Sequence, residues 1–141
     1  ASLVGLRQIS RFEGQSAMEL EFARDGVETN ESYEFALSQE TLNWGPMLLN
    51  IISDVHLGIS IDKISAKFHN TLVEMIVAVA RHVGEERVVL TGGCFQNKYL
   101  TERAIARLRE EGFRVYWHQR IPPNDGGIAL GQIVAASHVK E

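Results

Sequence analysis

Two glycine pairs stand where the chain turns between predicted elements. Gly92-Gly93 follows a short β-branched run, and Gly126-Gly127 opens a run of small helix-forming residues. Glycine lets backbone N–H groups approach a bound oxyanion closely, and a helix N-terminus adds a favourable dipole, so either pair could hold a phosphate. Neither pair completes a dinucleotide fingerprint or a P-loop, and on spacing alone ordinary tight turns are the favoured interpretation.

A carboxylate stands beside the second glycine pair. Asp125 follows a loop that Pro122 and Pro123 stiffen, which would hold its side chain in a defined place. Hard cations prefer such oxygen ligands, so Asp125 is a candidate metal ligand. The residues alone favour the alternative, in which Asp125 caps the N-terminus of the last helix.

The cysteine and the histidines give no catalytic group. Cys94 lies at the mouth of the first glycine turn, but no histidine base is near it in sequence, so a small structural thiol is favoured over a nucleophile. His69 follows Phe68 in an apolar helix and could face a cleft, although a hydrogen-bonded core histidine is favoured. No residue is therefore assigned a catalytic role.

Hydrophobic periodicity predicts the elements that must position these residues. Helices are predicted over residues 17–23, 43–57, 61–83 and 98–111 and from 125 to 137, a strand or extended connection within 29–39, and strands over 87–91 and 114–117. Residues 87–117 form one βαβ unit, with a buried first strand, a helix capped by Asn97 and a stop at Gly112. The third helix carries one apolar stripe: Ile61, Ile64, Phe68, Leu72, Met75, Ile76 and Val79.

The composition limits the classes of function. A chain of 141 residues predicts one domain or lobe over 1–141, and its net charge of −4 without a basic block disfavours a nucleic-acid binder. The apolar runs are shorter than the roughly 20 residues of a membrane helix. A single cysteine excludes an internal disulfide and favours a cytoplasmic setting. Because Ala1 opens an apolar stretch without a cap, we expect a piece of a longer protein.

Four motifs in order resemble the C-terminal part of the HypF family, the carbamoyltransferases of nickel–iron hydrogenase maturation. They are FEGQSAMELE at residues 12–21, FHNTL at 68–72, LTGGCFQNKYL at 90–100 and PPNDGGIALGQ at 122–132. Together they span nearly the whole chain.

The resemblance implies an α/β fold, the second lobe of an actin-like ATPase (acetate/sugar kinase–actin) fold. The related enzymes that make threonylcarbamoyladenosine on tRNA hold nucleotide between two such lobes. The resemblance implies that the ribose side lies near Glu13 and Gly14 and that Asp125 binds a divalent metal, either iron, zinc or magnesium. The implied adenylate contacts are Gly92, Gly93, Phe95 and Asn97, to which the oxyanion argument adds Gly126 and Gly127.

The implied reaction is acyl transfer to a thiolate. HypF enzymes activate carbamoyl phosphate with ATP as carbamoyl adenylate in an upstream domain, and then carbamoylate the C-terminal cysteine of the partner HypE, a step in making the cyanide ligands of the hydrogenase. A metal ion and backbone N–H groups would stabilise the developing negative charge. The nucleophile then belongs to the partner, in agreement with the assignment of Cys94.

The departures from the family are informative. Its HxxxH histidine pair, its first lobe and its upstream domains are absent from this sequence. The chain therefore resembles the second lobe alone, which we expect to bind metal weakly and to be inactive in isolation. Two alternatives remain open: an O-carbamoyltransferase of antibiotic or nodulation-factor biosynthesis, and a non-catalytic domain that docks a partner or forms a homodimer through surface that the first lobe would cover.

Overall fold

A computed structural model describes residues 1–138 and divides the chain into two compact units, Ala1–Gly84 and Glu85–Glu141. The last three residues of the domain predicted over 1–141 lie outside the described residues. The helices are α1 (Gln15–Ala23), α2 (Gly45–His56), α3 (Ile61–Val83), α4 (Lys98–Glu110) and α5 (Ile128–His138). The strands are β1 (Ala36–Ser38), β2 (Thr41–Asn43), β3 (Arg87–Leu90) and β4 (Arg114–Trp117), and short 3₁₀ turns lie at Gly93–Gln96 and Asp125–Gly127.

Helix α3 is the centre of the first unit and packs against both α1 and α2. Its buried side chains therefore lie on more than one face and include Val73 and Val77 as well as Ile64. The single stripe predicted from Ile61 to Val79 is wrong at its ends, since these two side chains are 36% and 41% exposed. A helix with neighbours on two sides does not show one stripe.

A short hairpin precedes α2. Strands β1 and β2 pair antiparallel, with Ala36 opposite Asn43 and Leu37 opposite Leu42. The extended segment predicted within 29–39 contains β1, but β2 was not predicted. Three-residue strands are too short to show a period of two, and the turn between them carries Gln39 at φ 54° instead of a glycine or asparagine signal.

Polar side chains of α3 hold the extended segment before the hairpin. Asn70 Nδ2 donates hydrogen bonds to the carbonyl oxygens of Thr29 (2.8 Å) and Glu31 (2.9 Å), and the Tyr33 backbone N–H donates to Thr71 Oγ1 (2.8 Å). His69 is buried beside them, with Nδ1 2.8 Å from the Ser65 carbonyl oxygen, so the core-histidine interpretation is confirmed. Burial lowers the pKa of His69.

The second unit contains the predicted βαβ arrangement. Strands β3 and β4 are parallel, with Val88 opposite Val115 and Leu90 opposite Trp117. The predicted face of α4, containing Leu100, Ala104 and Leu108, is buried. The prediction of a buried first strand is wrong for one face of β3, because Val89 is 64% exposed. Tyr116, opposite Val89 on β4, is 51% exposed.

Helix α5 buries none of its residues, although Ile128, Leu130, Ile133 and Val134 are apolar. Among the helices of residues 1–138, none combines the length and the hydrophobicity needed to cross a membrane.

Candidate functional site

The two glycine motifs of the second unit lie against each other. The backbone N–H of Gly92 donates a hydrogen bond of 2.8 Å to the carbonyl oxygen of Pro123. Gly92 holds φ 101°, a conformation that L side chains rarely adopt. The glycine turn after β3 and the proline loop before α5 therefore form one surface.

This surface lies at the carboxyl edge of the sheet. Thr91 and His118 directly follow β3 and β4, and Thr91 Oγ1 lies 3.0 Å from His118 Nε2. Ligands of open α/β sheets bind at this edge of the strands. The structure thus places both glycine pairs and Asp125 where the fold class holds its ligands.

Most amides of the glycine pairs already have acceptors within the protein. Besides the bond from Gly92, Gly126 N–H donates to Asn124 Oδ1 (3.1 Å) and Gly127 N–H to the Asn124 carbonyl oxygen (3.0 Å). Within residues 1–138, the N–H groups of Gly93 and Cys94 meet no acceptor. These two amides, at the start of the first 3₁₀ turn, are the ones that the turn can offer to an anion.

The glycines differ in what the fold itself requires. A Cβ at Gly127 would lie 2.9 Å from the Pro122 carbonyl oxygen, so the packing of the loop requires glycine there. A Cβ at Gly93 would meet nothing closer than 3.9 Å, and the φ of Gly93 is not in the left-handed region. The fold therefore tolerates a side chain at Gly93, and the absence of one leaves room for a close approach from outside.

Asn97 caps α4 as predicted. Its Oδ1 accepts a hydrogen bond from Leu100 N–H (2.8 Å), and Thr101 Oγ1 donates to the carbonyl oxygens of Phe95 (2.9 Å) and Asn97 (2.8 Å). The Phe95 and Asn97 side chains are both half-buried. Hydrogen bonds thus anchor the backbone of both residues, and the side chain of Asn97, at the exit of the glycine turn.

Asp125 is exposed at the start of the second 3₁₀ turn. The interpretation of Asp125 as the cap is wrong, because the side chain of Asn124 accepts the capping bond. In the described part of the chain, no three His, Cys, Asp or Glu residues cluster closely enough to hold a metal ion. A single carboxylate does not fill the coordination shell of Mg²⁺ or Zn²⁺, so these residues alone do not form a metal site.

Glu13 and Gly14 belong to the first unit, at the start of α1. Gly14 holds φ 80°, and its carbonyl oxygen accepts from Met18 N–H (2.9 Å), whereas the Glu13 side chain is exposed. The residues before α1 are tied to it by an ion pair between Arg7 and Glu19. The hydrogen bond from Arg7 lowers the pKa of Glu19.

Sequence reasoning assigned no role to the residues just after β4. Trp117, His118, Gln119, Arg120 and Ile121 line a cavity of about 450 Å³. The sequence predicts a solvated or ordinary hydrogen-bonded histidine at position 118, and the structure shows the second, since His118 pairs with Thr91 across the strand ends. Thr91 and His118 directly follow two predicted parallel strands, and such positions share one edge of the sheet. This placement could have predicted that the two residues lie close together.

Comparisons with known proteins agree with these motifs. Residues 1–132 match the family described as carbamoyltransferase, Kae1-like domain, second subdomain. The carbamoyltransferase HypF of Synechocystis sp. is 37% identical over 145 aligned positions, which cover 100% of this chain and 19% of that protein. HypF of Rhizobium leguminosarum bv. viciae is 32% identical, with 99% of this chain and 18% of that protein covered. The chain thus spans about a fifth of the length of these curated relatives.

Solved structures share the fold. A crystal structure of full-length HypF in the phosphate- and nucleotide-bound form superposes with a TM-score of 0.83 at 41% identity, covering 94% of this chain and 18% of that one. HypF of T. kodakarensis superposes with a TM-score of 0.77 at 22% identity, covering 93% and 18%.

Proposed function

Because this chain belongs to the family of the second Kae1-like subdomain of carbamoyltransferases, we propose that it contributes one side of an adenylate site to a HypF-type enzyme. The resemblance to HypF drawn from the four motifs is confirmed. The fold is α/β and matches HypF. Its assignment as the second lobe of an actin-like ATPase is part of the proposal.

The observation that carries the proposal is the hydrogen bond between Gly92 and Pro123. It places the glycine turn and the proline loop on one surface at the carboxyl edge of the sheet. Gly93 adds an amide without an acceptor within residues 1–138 and a position where the fold itself does not require glycine. A related HypF was crystallised with phosphate and nucleotide, which supports a nucleotide as the ligand.

Each predicted contact receives a role in this proposal. The amides of Gly93 and Cys94 donate to the phosphate of the adenylate. Phe95 and Asn97, held at the start of α4, contact its nucleoside. Gly126 and Gly127 keep the proline loop close, since a Cβ at Gly127 would strike the Pro122 carbonyl oxygen. Glu13 and Gly14 are proposed to contact the ribose.

Asp125 can give a divalent metal ion one oxygen ligand. The remaining ligands would have to come from outside the described residues, since these hold no cluster of three ligand side chains. A bound divalent ion would supply Lewis-acid stabilisation of negative charge. We therefore propose Asp125 as one ligand of a shared site.

The proposed reaction transfers the carbamoyl group from carbamoyl adenylate to the C-terminal cysteine of HypE. The thiolate sulfur attacks the carbamoyl carbon, a C–S bond forms, and the bond to the adenylate oxygen breaks to release AMP. This chain binds and orients the adenylate, and its free amides stabilise the leaving phosphate. The upstream HypF domains and a cytoplasmic setting belong to the same proposal.

Helix α5 favours a second candidate function. Its apolar side chains are exposed, which also suits a domain that docks a partner or pairs with a second copy. Such a domain would associate as its concentration rises in sedimentation experiments and would have no affinity for nucleotide.

Calorimetric titration of ATP with Mg²⁺ tests the adenylate site. Gly93→Ala should lower the affinity by about tenfold or more, because the added methyl group blocks the approach to the amide, while the unfolding midpoint stays unchanged. Gly131→Ala in α5 is the matched control, since its Cβ would meet nothing within 4 Å. Equal affinities for the two variants would contradict a ligand at the glycine turn.

A further inference from the structure

A cavity opens at the carboxyl edge of the sheet, beside the glycine turn. Its volume is about 450 Å³, and residues 117–121 line it as the chain leaves β4 and enters the proline loop. That loop reaches Gly92 through the bond from Pro123. The segment 117–123 therefore lines the cavity and is hydrogen-bonded to the glycine turn.

Arg120 lines this cavity and brings a positive charge to it. Among residues 1–138, no carboxylate pairs with its guanidinium group, whereas Arg107 pairs with Glu110 (2.9 Å) and Arg114 with Glu86 (2.9 Å). A guanidinium group presents five N–H donors in a planar fork that matches the oxygens of a phosphate. Within the described residues, the guanidinium group of Arg120 is therefore available to a ligand.

His118 lines the same cavity with one ring nitrogen already engaged. Its Nε2 lies 3.0 Å from Thr91 Oγ1, which orients the ring at the end of β4. Nδ1 is therefore the ring nitrogen left for a ligand, and it donates to an anion when it carries a proton. His118 and Arg120 are two residues apart on the same cavity wall.

We infer that His118 and Arg120 form an anion subsite that receives the phosphate chain of the nucleotide beyond the glycine turn. The inference rests on the proposed function and adds two residues to it. The first phosphate lies at the amides of Gly93 and Cys94, and the terminal phosphates extend from there into the cavity after β4. The subsite therefore distinguishes a nucleoside triphosphate from a nucleoside.

Calorimetric titrations of adenosine, ATP and inorganic tripolyphosphate into the 141-residue chain test this subsite. Arg120→Gln and His118→Phe, which keeps an aromatic ring but removes both nitrogens, should each lower the affinity for ATP and tripolyphosphate by about fivefold or more. The affinity for adenosine should stay the same. Arg87→Gln is the matched control, because Arg87 is exposed at the opposite end of β3 and also has no acidic partner within residues 1–138.

The titrations separate the subsite from the nucleotide site. If adenosine binds but neither variant weakens ATP, the subsite is wrong and the proposed function stands. If tripolyphosphate binds through Arg120 while adenosine does not bind, the subsite stands and the adenylate site fails. An equal loss in Arg87→Gln, or a native chain that binds neither ATP nor tripolyphosphate, overturns the subsite.

Discussion

The backbone N–H of Gly92 and the carbonyl oxygen of Pro123 form a hydrogen bond of 2.8 Å between segments far apart in the sequence. This bond fixes the proline loop on the turn that follows β3. It also directs the Gly92 amide into the protein, so that the amides of Gly93 and Cys94 are the ones left for a ligand. The amides that the turn offers to a ligand therefore depend on a loop that lies 31 residues further along the chain.

Gly127→Ala should destabilise the second unit. The new Cβ would lie 2.9 Å from the Pro122 carbonyl oxygen and 3.3 Å from Ile121 Cγ2, and backbone must move to relieve the first contact. Overpacking of this kind costs about 1–3 kcal/mol in the free energy of unfolding, measured by urea denaturation. Gly131→Ala should instead stabilise α5 by about 0.5–1 kcal/mol. A Gly127 variant as stable as the native chain would show that the loop can shift.

Asn97 caps α4 and is proposed to contact the nucleotide, and two substitutions can separate these roles. Asn97→Ala removes the bond to Leu100 N–H and should cost about 1 kcal/mol of stability, whereas Asn97→Asp keeps an accepting oxygen. Asn97→Asp replaces the amide that contacts the nucleoside with a carboxylate, which repels the anionic nucleotide and should weaken ATP binding while leaving the urea midpoint near the native value. An Asp variant that binds ATP like the native chain would leave Asn97 only its role as a cap.

Stability should fall as the pH drops below about 6.5. Burial lowers the pKa of His69 in the folded chain, so the unfolded chain, with an ordinary value of about 6.5, takes up the proton first. The free energy of unfolding measured by urea at pH 7.5, 6.5 and 5.5 should decrease along this series. His69→Gln should remove that slope, and His82→Gln, at an exposed position of α3, should keep it.

A second loss is expected below about pH 4. Hydrogen bonds from Lys67 (2.7 Å) and Tyr33 (2.8 Å) to Asp54 Oδ2 outweigh the opposing effect of burial and hold the pKa of Asp54 below its ordinary value. The stability that this carboxylate contributes is present above the pKa of the unfolded chain and is lost as the pH falls through the folded value. Asp54→Asn should flatten the urea profile between pH 4 and 2.5, and an unchanged profile would contradict this assignment.

The isolated chain should not transfer carbamoyl groups. It supplies one carboxylate toward a metal ion and one side of the proposed adenylate site. Mixing it with carbamoyl adenylate and a peptide ending in the HypE cysteine should give no thiocarbamate by mass spectrometry. Asp125→Ala should change its weak Mg²⁺ affinity by less than about threefold. Product formation by the isolated chain would refute the proposal that the site is shared.

Local patterns predicted the elements whose signals lie within a few residues. An asparagine before an apolar helix face predicted the cap of α4 at Asn97. A change in hydrophobic period between strand and helix predicted the βαβ order of residues 87–117. The pairing of Gly92 with Pro123 is non-local, so no spacing indicates it. The choice of Asn124 over Asp125 as the cap depends on one backbone conformation that either residue could adopt.

The remaining errors follow from packing. Ile61 and Val79 of α3 and Val89 of β3 were predicted to be buried because they are apolar, but the described chain leaves them exposed. A periodic pattern shows which side chains prefer burial and does not identify what buries them. The relatives of this chain are about five times longer, and in this chain many side chains that prefer burial are exposed.

Helix α5 has eleven residues, no buried side chain and a glycine as its fourth residue. Helices of this length are marginal in water, because nucleating the first turn costs more than so few hydrogen bonds return. Its amide hydrogens should therefore exchange with solvent earlier than those of α3. Slower exchange on addition of another protein or domain would identify a surface on which this helix completes its folding.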